Sequence, residues 1–336
     1  MKIRITKSTI LFIVSIVLIL IIMAIIGIDK IIKSLLNANP VYIILAAVLQ
    51  FFVSLIISIR WRCVIKILGY NCNLKNLFLL VLMGLFINNI TPSMRGGGEV
   101  FRAYYLSKLE KIPDGLAAST VVVERVLDTT IFLFFTLFMI GYFVITGFKY
   151  ITYLILSWIF LFSLMIIIIY LIANKKLLSK IVTKMSKFIC KYCSLNYNEE
   201  KILKSIDDFY NSMKFFKKRR GKDVIITVML SIMWYVVDII KLWLLFLSIS
   251  HFVSIISVAT VYLLTLLSGV LSVTPSGFGT ADTVMILSFS AFDIPPSIAA
   301  AVTLLDRFVS YLLPTVVGYI AMLIIKRELD KKKEKQ

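Results

Sequence analysis

Long stretches of this chain are apolar at every position, with neither the alternation of a half-buried strand nor the three-to-four spacing of a surface helix. Ser8–Ile28, Pro40–Ile59 and Ile151–Ala173 contain no charged side chain. Each approaches or exceeds the roughly 20 apolar residues that carry a helix across a bilayer core. Val224–Leu247 and Pro296–Ile325 read as two more spans, and a further helix is entered at Pro113 and runs to about Gly147. At 1.5 Å per residue that helix is about 52 Å long and must tilt, bend or begin as a half-helix. Leu77–Ile90 is too short for a span, and Phe252–Phe292 is interrupted by proline and glycine. The pattern predicts an all-α, polytopic helical membrane protein with about six full spans plus two re-entrant hairpins, a single integral membrane domain over residues 1–336. Barrel strands would alternate polar and apolar residues, so a β-barrel is excluded.

Composition agrees: 60% of residues are hydrophobic and 16% charged, against about half and a quarter in soluble domains. The formal charge of +19 comes from 37 Lys+Arg against 18 Asp+Glu. Fourteen of those cations fall in Asn174–Lys222. Others gather before the first span, in Arg60–Lys75, in Arg95–Lys111 and after Ile325. Basic residues accumulate in cytoplasmic loops, so both termini and the basic loop 174–222 are expected in the cytoplasm of a cell-membrane protein, and nucleic acid is not an expected partner. The apolar run after Lys2, Arg4 and Lys7 is too long for a signal peptide and no small-residue cleavage site follows Ile28, so an uncleaved first span is expected.

Basic segments flank Leu77–Ile90 on both sides. It is therefore expected to dip in and return through a turn at Pro92–Gly98. Parity makes Phe252–Phe292 a hairpin from the outside and Pro296–Ile325 the return crossing; an ordinary two-span hairpin satisfies the same parity. Cys190-x-x-Cys193 is half a zinc pattern, Cys63 and Cys72 stand apart, and His251 is the one histidine. No metal, catalytic residue or cofactor is expected from that set.

Two segments repeat each other. Ile90-Thr-Pro-Ser-Met-Arg-Gly-Gly-Gly-Glu99, Lys111-Ile-Pro-Asp-Gly-Leu-Ala-Ala-Ser-Thr120 and Glu124-Arg125 return as Val273-Thr-Pro-Ser-Gly-Phe-Gly-Thr-Ala-Asp282, Ile294-Pro-Pro-Ser-Ile-Ala-Ala-Ala-Val-Thr303 and Asp306-Arg307. So many matches in one order indicate duplication, with repeat 1 over 41–147 and repeat 2 over 224–325. By the charge count the copies start from opposite sides, an inverted-topology repeat of the kind found in secondary transporters. Thr-Pro-Ser followed by glycine frees backbone groups at membrane depth, which is tolerated only against protein or a wet cavity. Gly96, Gly97 and Gly98 could form an N–H nest for an anion or simply a tight turn.

Charges inside the apolar stretches are the other signal. Glu124 and Arg125 lie about 17 Å into their helix, and Asp306 and Arg307 about 16 Å into theirs. Sequence neighbours point about 100° apart on a helix, so each is expected to find its partner elsewhere; Arg125 with Asp128, and Asp238 with Lys241, are spaced to pair within a helix. Intramembrane charges mark a path or binding site, or else a buried ion pair that locks packing. Pro314 is expected to bend its helix. The tryptophans read as interface anchors or packing residues. Phe188, Phe209, Phe215 and Phe216 among the lysines of 174–222 suggest an amphipathic segment on anionic headgroups, or a solvated basic loop.

Asn89-x-x-Pro92-x-x-Arg95-Gly-Gly-Gly-Glu99-x-x-Arg102, Glu124-Arg125, Pro275-x-Gly277-x-Gly279-x-x-Asp282 and Arg307 resemble the lysylphosphatidylglycerol synthase transmembrane region, or flippase-like integral membrane, family over roughly Ile10 to Arg327. Asp282 stands where that family more often shows Glu. The resemblance implies a lipid-handling transporter moving an anionic phospholipid or a polyprenyl-linked glycan between leaflets. Arg95, Glu99, Arg102, Glu124, Arg125 and Arg307 stand on the matching motif positions. The chain ends soon after Ile325, so the aminoacyl-transfer domain of the synthases is not expected, nor is enzymatic activity. The expected substrate-binding set is Arg95, Gly97, Gly98, Glu99, Arg102, Glu124, Arg125, Pro275, Gly277, Gly279, Asp282, Asp306 and Arg307, with Arg95, Arg102, Arg125 and Arg307 on phosphate and Glu99, Glu124, Asp282 and Asp306 orienting them or carrying a proton. An intramembrane lipid-modifying transferase or hydrolase, and a non-transporting scaffold, are the alternatives.

Overall fold

The computed structural model describes residues 21, 23–91, 97–146, 151–193, 198–218, 221–272, 274 and 276–334. The first expected span therefore lies almost wholly outside the described residues, as does most of the Pro92–Gly98 turn. All regular structure among the described residues is helical. The chain divides into two compact units: residues 1–59, 73–102 and 232–336, and residues 60–72 and 103–231.

The first unit holds α1 (Ile28–Leu36), the greater part of α2 (Pro40–Ile67), α3 (Leu74–Ile90) and the first turns of α4 (Gly97–Glu110). It continues with α9 (Lys222–Ser248) from Ile232 onward, then α10 (Ile255–Leu271), α11 (Thr280–Ser290), α12 (Pro296–Asp306), a π-helical segment (Arg307–Leu312) and α13 (Leu313–Glu334). Its centre is the packing of α3 on α13. Helix α3 starts where the Asn73 side chain caps the Lys75 N–H. It buries Leu77, Leu80, Val81, Leu82, Met83 and Ile87, so it has no single apolar stripe. It stops at Thr91, whose hydroxyl and N–H both turn back to the Ile87 carbonyl, because Pro92 has no N–H with which to continue. At 17 residues it is about 25 Å long, short of a full crossing.

Helices α10 and α11 pack on each other across a break at 272–279. The expected Phe252–Phe292 hairpin is thus a broken helix pair. The motif copies also fall on one element pattern: α3, break, α4, proline, α5 (Asp114–Thr146) in the first, and α10, break, α11, proline, α12 in the second. The expected bend at Pro314 takes a different form. The helix widens to a π turn over Arg307–Leu312 just before Pro314, which cannot donate to the Ser310 carbonyl as an α-turn requires.

The second unit holds the end of α2, most of α4, α5, α6 (Ile151–Ala173), α7 (Lys175–Cys193), α8 (Glu199–Lys218) and the start of α9. Helix α5 packs on α6 and α8. The stretch read as a basic loop, 174–222, is therefore largely helical. Phe209, expected among headgroups, is buried together with Ile206 and Ser212, on the helix that packs against α5. Trp61, read as an anchor or packing residue, is fully buried and donates to the Thr120 hydroxyl at 2.9 Å.

Among the described residues, four helices are long and apolar enough to cross a membrane: Pro40–Ile67, Asp114–Ile145, Lys222–Ser248 and Pro296–Lys332. The apolar segment Trp158–Ala173 is followed by Lys175–Lys187, bent by 93° from it, and counts as a fifth only if the two are taken together as one span. Backbones at the α3–α13 crossing are close enough that a methyl on Gly318 would lie 2.2 Å from the Leu82 carbonyl oxygen, whereas one on Gly141 would meet nothing within 4 Å. Gly318→Ala is therefore expected to cost about 1–3 kcal/mol by overpacking and to lower the thermal unfolding midpoint in detergent. Gly141→Ala in α5 is expected to leave that midpoint unchanged or higher.

Candidate functional site

In the first unit the α10–α11 break is organised around Arg307. Its Nε donates to Asp282 Oδ1 at 2.5 Å, Nη1 to the Ser276 carbonyl at 3.2 Å and Nη2 to the Gly277 carbonyl at 3.5 Å. The guanidinium lies 5.1 Å from the Phe278 ring centroid and 5.8 Å from that of Tyr311, so two π faces add to the ionic contact. The other Asp282 oxygen accepts the Gly279 N–H at 2.9 Å, capping α11 with a carboxylate where the helix dipole favours one. Gly277 and Gly279 have φ of +67° and +82°, the left-handed region that glycine enters without cost.

Hydroxyls close the rest of the break. Thr280 donates to Ser272, Ser272 and Thr274 share a hydrogen bond, and Thr274 reaches the Phe278 carbonyl. Asn89 joins the same network from the end of α3. It donates to Thr315 and to the Tyr311 carbonyl, accepts from Ser276, and its own carbonyl accepts from the Tyr311 hydroxyl.

The neighbouring Asn88 serves the first copy. Its side-chain oxygen accepts the Gly98 N–H at 2.8 Å. Gly97 and Gly98 lie in the first turn of α4, and the Gly98 donor is engaged by protein. A methyl on Gly98 would lie 2.1 Å from the Gly84 carbonyl oxygen, and one on Gly84 would strike the Arg102 side chain. These glycines let α3 and α4 approach and leave a channel for Arg102, which pairs with Glu99 at 3.0 Å. Arg95, Gly96 and Pro275 lie outside the described residues.

The second unit holds the other charged cluster. Arg60, fully buried, donates to Glu124 from Nε and Nη2 at 3.3 and 3.0 Å, to Asp128, and to the Ser231 hydroxyl at 3.2 Å. Arg125 pairs with Asp128 at 3.1 Å, the expected contact within the helix. Two arginines and two carboxylates thus neutralise one another. Arg60 escaped the sequence reading because it ends the uncharged run Pro40–Ile59 and was counted as a loop cation; the helix continues to Ile67 because no proline or glycine interrupts it.

Adjacent acid and arginine do part company, as expected: Glu124 meets Arg60 and Arg125 meets Asp128, while Asp306 accepts from Ser310 at 2.7 Å and Arg307 meets Asp282. In the first unit Asp238 and Lys241 pair at 2.6 Å, with Gln50 on the ammonium and Trp234 and Tyr262 on the carboxylate. That cluster joins α2, α9 and α10.

Apolar helices of spanning length, helix breaks lined with hydrogen-bonding groups, and neutralised charges buried among them define a multi-pass α-helical membrane protein. The sequence profile of the Lysylphosphatidylglycerol synthase TM region matches residues 10–318, and the chain belongs to that family. It is 76% identical over 335 residues, the full length of both chains, to a UPF0104 membrane protein of Methanocaldococcus jannaschii. A UPF0104 membrane protein of Methanothermobacter thermautotrophicus is 28% identical over 328 residues, covering 94% of this chain and 95% of the relative. One of Pyrococcus horikoshii is 26% identical over 327 residues, covering 94% and 97%.

Removing Arg60 would leave Glu124 and Asp128 short of a cation in a buried setting. Arg60→Leu is expected to cost about 3–5 kcal/mol, read as a large fall in the thermal unfolding midpoint in detergent. Lys66→Ala removes an exposed 3.5 Å pair with Asp223 and is expected to change stability by about 0–1 kcal/mol.

Proposed function

We propose that this chain moves an anionic phospholipid, or a polyprenyl-linked glycan with its phosphate, between membrane leaflets. The observation that carries the reading is the 272–279 break: peptide and hydroxyl groups freed by interruption of a helix in an apolar chain and gathered around the Asp282–Arg307 pair. Such backbone is costly in hydrocarbon and is found where it meets protein or a polar ligand. In this proposal the headgroup passes the polar residues of the two motif copies while its tails stay in lipid. Arg95, Arg102, Arg125 and Arg307 serve the phosphate; Glu99, Glu124, Asp282 and Asp306 orient arginines or carry a proton. The Arg102–Glu99 and Arg307–Asp282 contacts support that division of roles. So does partial exposure: the Arg125 side chain is 33% exposed and that of Arg307 17%. The two copies are proposed to be inverted, with both termini and 174–222 on the cytoplasmic side.

A second reading, a non-transporting scaffold, draws on the same contacts, since Arg307 already has a carboxylate and two carbonyls. Liposomes carrying chain-labelled phosphatidylglycerol separate the two. Arg125→Gln and Arg307→Gln keep most of the volume and a donor but lose the charge. Each is expected to purify folded and to abolish translocation. Lys at either position is expected to restore it only partly, because a point charge lacks the planar fork. Unchanged translocation in both Gln variants, or loss of the folded protein in both, assigns these residues to packing. Chemical turnover of the lipid without translocation would instead favour a transferase or hydrolase.

A further inference from the structure

Helix α7 has no role in the transport reading, and its geometry is distinctive. It follows the apolar helix α6 after Asn174 alone and is bent by 93° from it. The corner is built rather than slack. The Asn174 N–H still bonds back to the Tyr170 carbonyl, while its side-chain oxygen caps the Leu177 N–H at 3.1 Å. The Tyr210 hydroxyl donates to the Ile172 carbonyl in the last turn of α6 at 2.5 Å, and Lys175 pairs with Asp207 at 2.6 Å. Helix α8 thus holds both sides of the corner.

The residues of α7 segregate by side. Leu177, Leu178, Ile181, Val182 and Met185 share one face, spaced three to four apart; Lys176, Lys180 and Lys187 lie opposite, and Lys184, seven residues after Leu177, lies at its edge. Those four lysines are exposed, and the apolar face is incompletely covered by protein: Leu177, Leu178, Ile181 and Val182 are half-buried and Met185 is 58% exposed. Helix α8 is different, because its Ile206 and Phe209 are already buried. A helix turned at a right angle off the end of a spanning helix runs along the membrane surface. An amphipathic helix there sets its apolar face into the acyl boundary, and its lysines meet anionic headgroups.

We propose that α7 lies in the bilayer interface as a clamp for anionic lipid, with Met185 in the acyl region and the lysine stripe on headgroup phosphates. This rests on the membrane class of the chain and is independent of transport. Spin labels introduced by Met185→Cys or Lys176→Cys, in a full chain whose four native cysteines are replaced by Ser, report depth in bilayers containing phosphatidylglycerol. Position 185 is expected to be relaxed by oxygen over an aqueous nickel chelate, and position 176 the reverse. That contrast is expected to shrink in pure phosphatidylcholine and with Lys180→Glu plus Lys187→Glu. Equal access of the chelate to both labels in both lipids overturns the proposal. Shielding of position 185 from both reagents also overturns it, since protein would then cover that face. Amide exchange of the unsubstituted chain reads the same claim without mutations. Helix α7 is expected to exchange more slowly in phosphatidylglycerol-containing nanodiscs than in phosphatidylcholine, with α8 unchanged. Equal exchange of α7 in both lipids overturns the proposal.

Discussion

A guanidinium withdrawn from water needs a counter-charge and partners for its N–H groups, and in an apolar chain few places offer both. Arg307 meets that demand with Asp282, two main-chain carbonyls and two aromatic faces. The same contacts meet the opposite demand, that of a helix break whose freed carbonyls need donors. One ion pair thus answers two penalties, and the arrangement of α10, α11, α12 and the π turn follows from where its two members stand. Arg60 with Glu124 and Asp128 does comparable service in the second unit, and Arg102 with Glu99 at the first motif copy.

Small residues and amides complete this arrangement. Gly84 and Gly98 bring α3 and α4 together, and Gly318 brings α13 onto α3. Asn88 and Asn89, adjacent at the end of α3, then divide their bonding: one serves the start of α4 and the other the 272–279 break and the π segment. The start of α4 and the 272–279 break are therefore both tied to one turn of one short helix.

Much of this was legible in the sequence because it follows from costs that no tertiary context removes. The uncharged runs at Pro40–Ile59 and Ile151–Ala173, the interruption of the helix at 272–279, the separation of Glu124 from Arg125 and of Asp306 from Arg307, and the Arg125–Asp128 and Asp238–Lys241 pairs all belong to that class. What escaped depends on which neighbour an apolar face has, since lipid and protein satisfy it equally. Trp61 and Phe209 could have sat at the interface or in the core, and both are buried. Arg60 was misplaced because charge normally ends a span, and only its carboxylate partners, 64 and 68 residues away, keep it inside. Asn88 was hidden by the apolar character of Leu77–Ile90, although two adjacent amides in such a stretch are themselves a signal of bonding to a broken backbone.

The claim that the Asp282–Arg307 pair braces the broken helix is tested most directly by a double-mutant cycle. Thermal or denaturant unfolding in detergent would be compared for Asp282→Asn, Arg307→Gln and the two combined. Each single change leaves a buried charge without its counterpart, so the account predicts that the combined variant is destabilised by clearly less than the sum, with a coupling of about 1–3 kcal/mol. Strictly additive losses would contradict it.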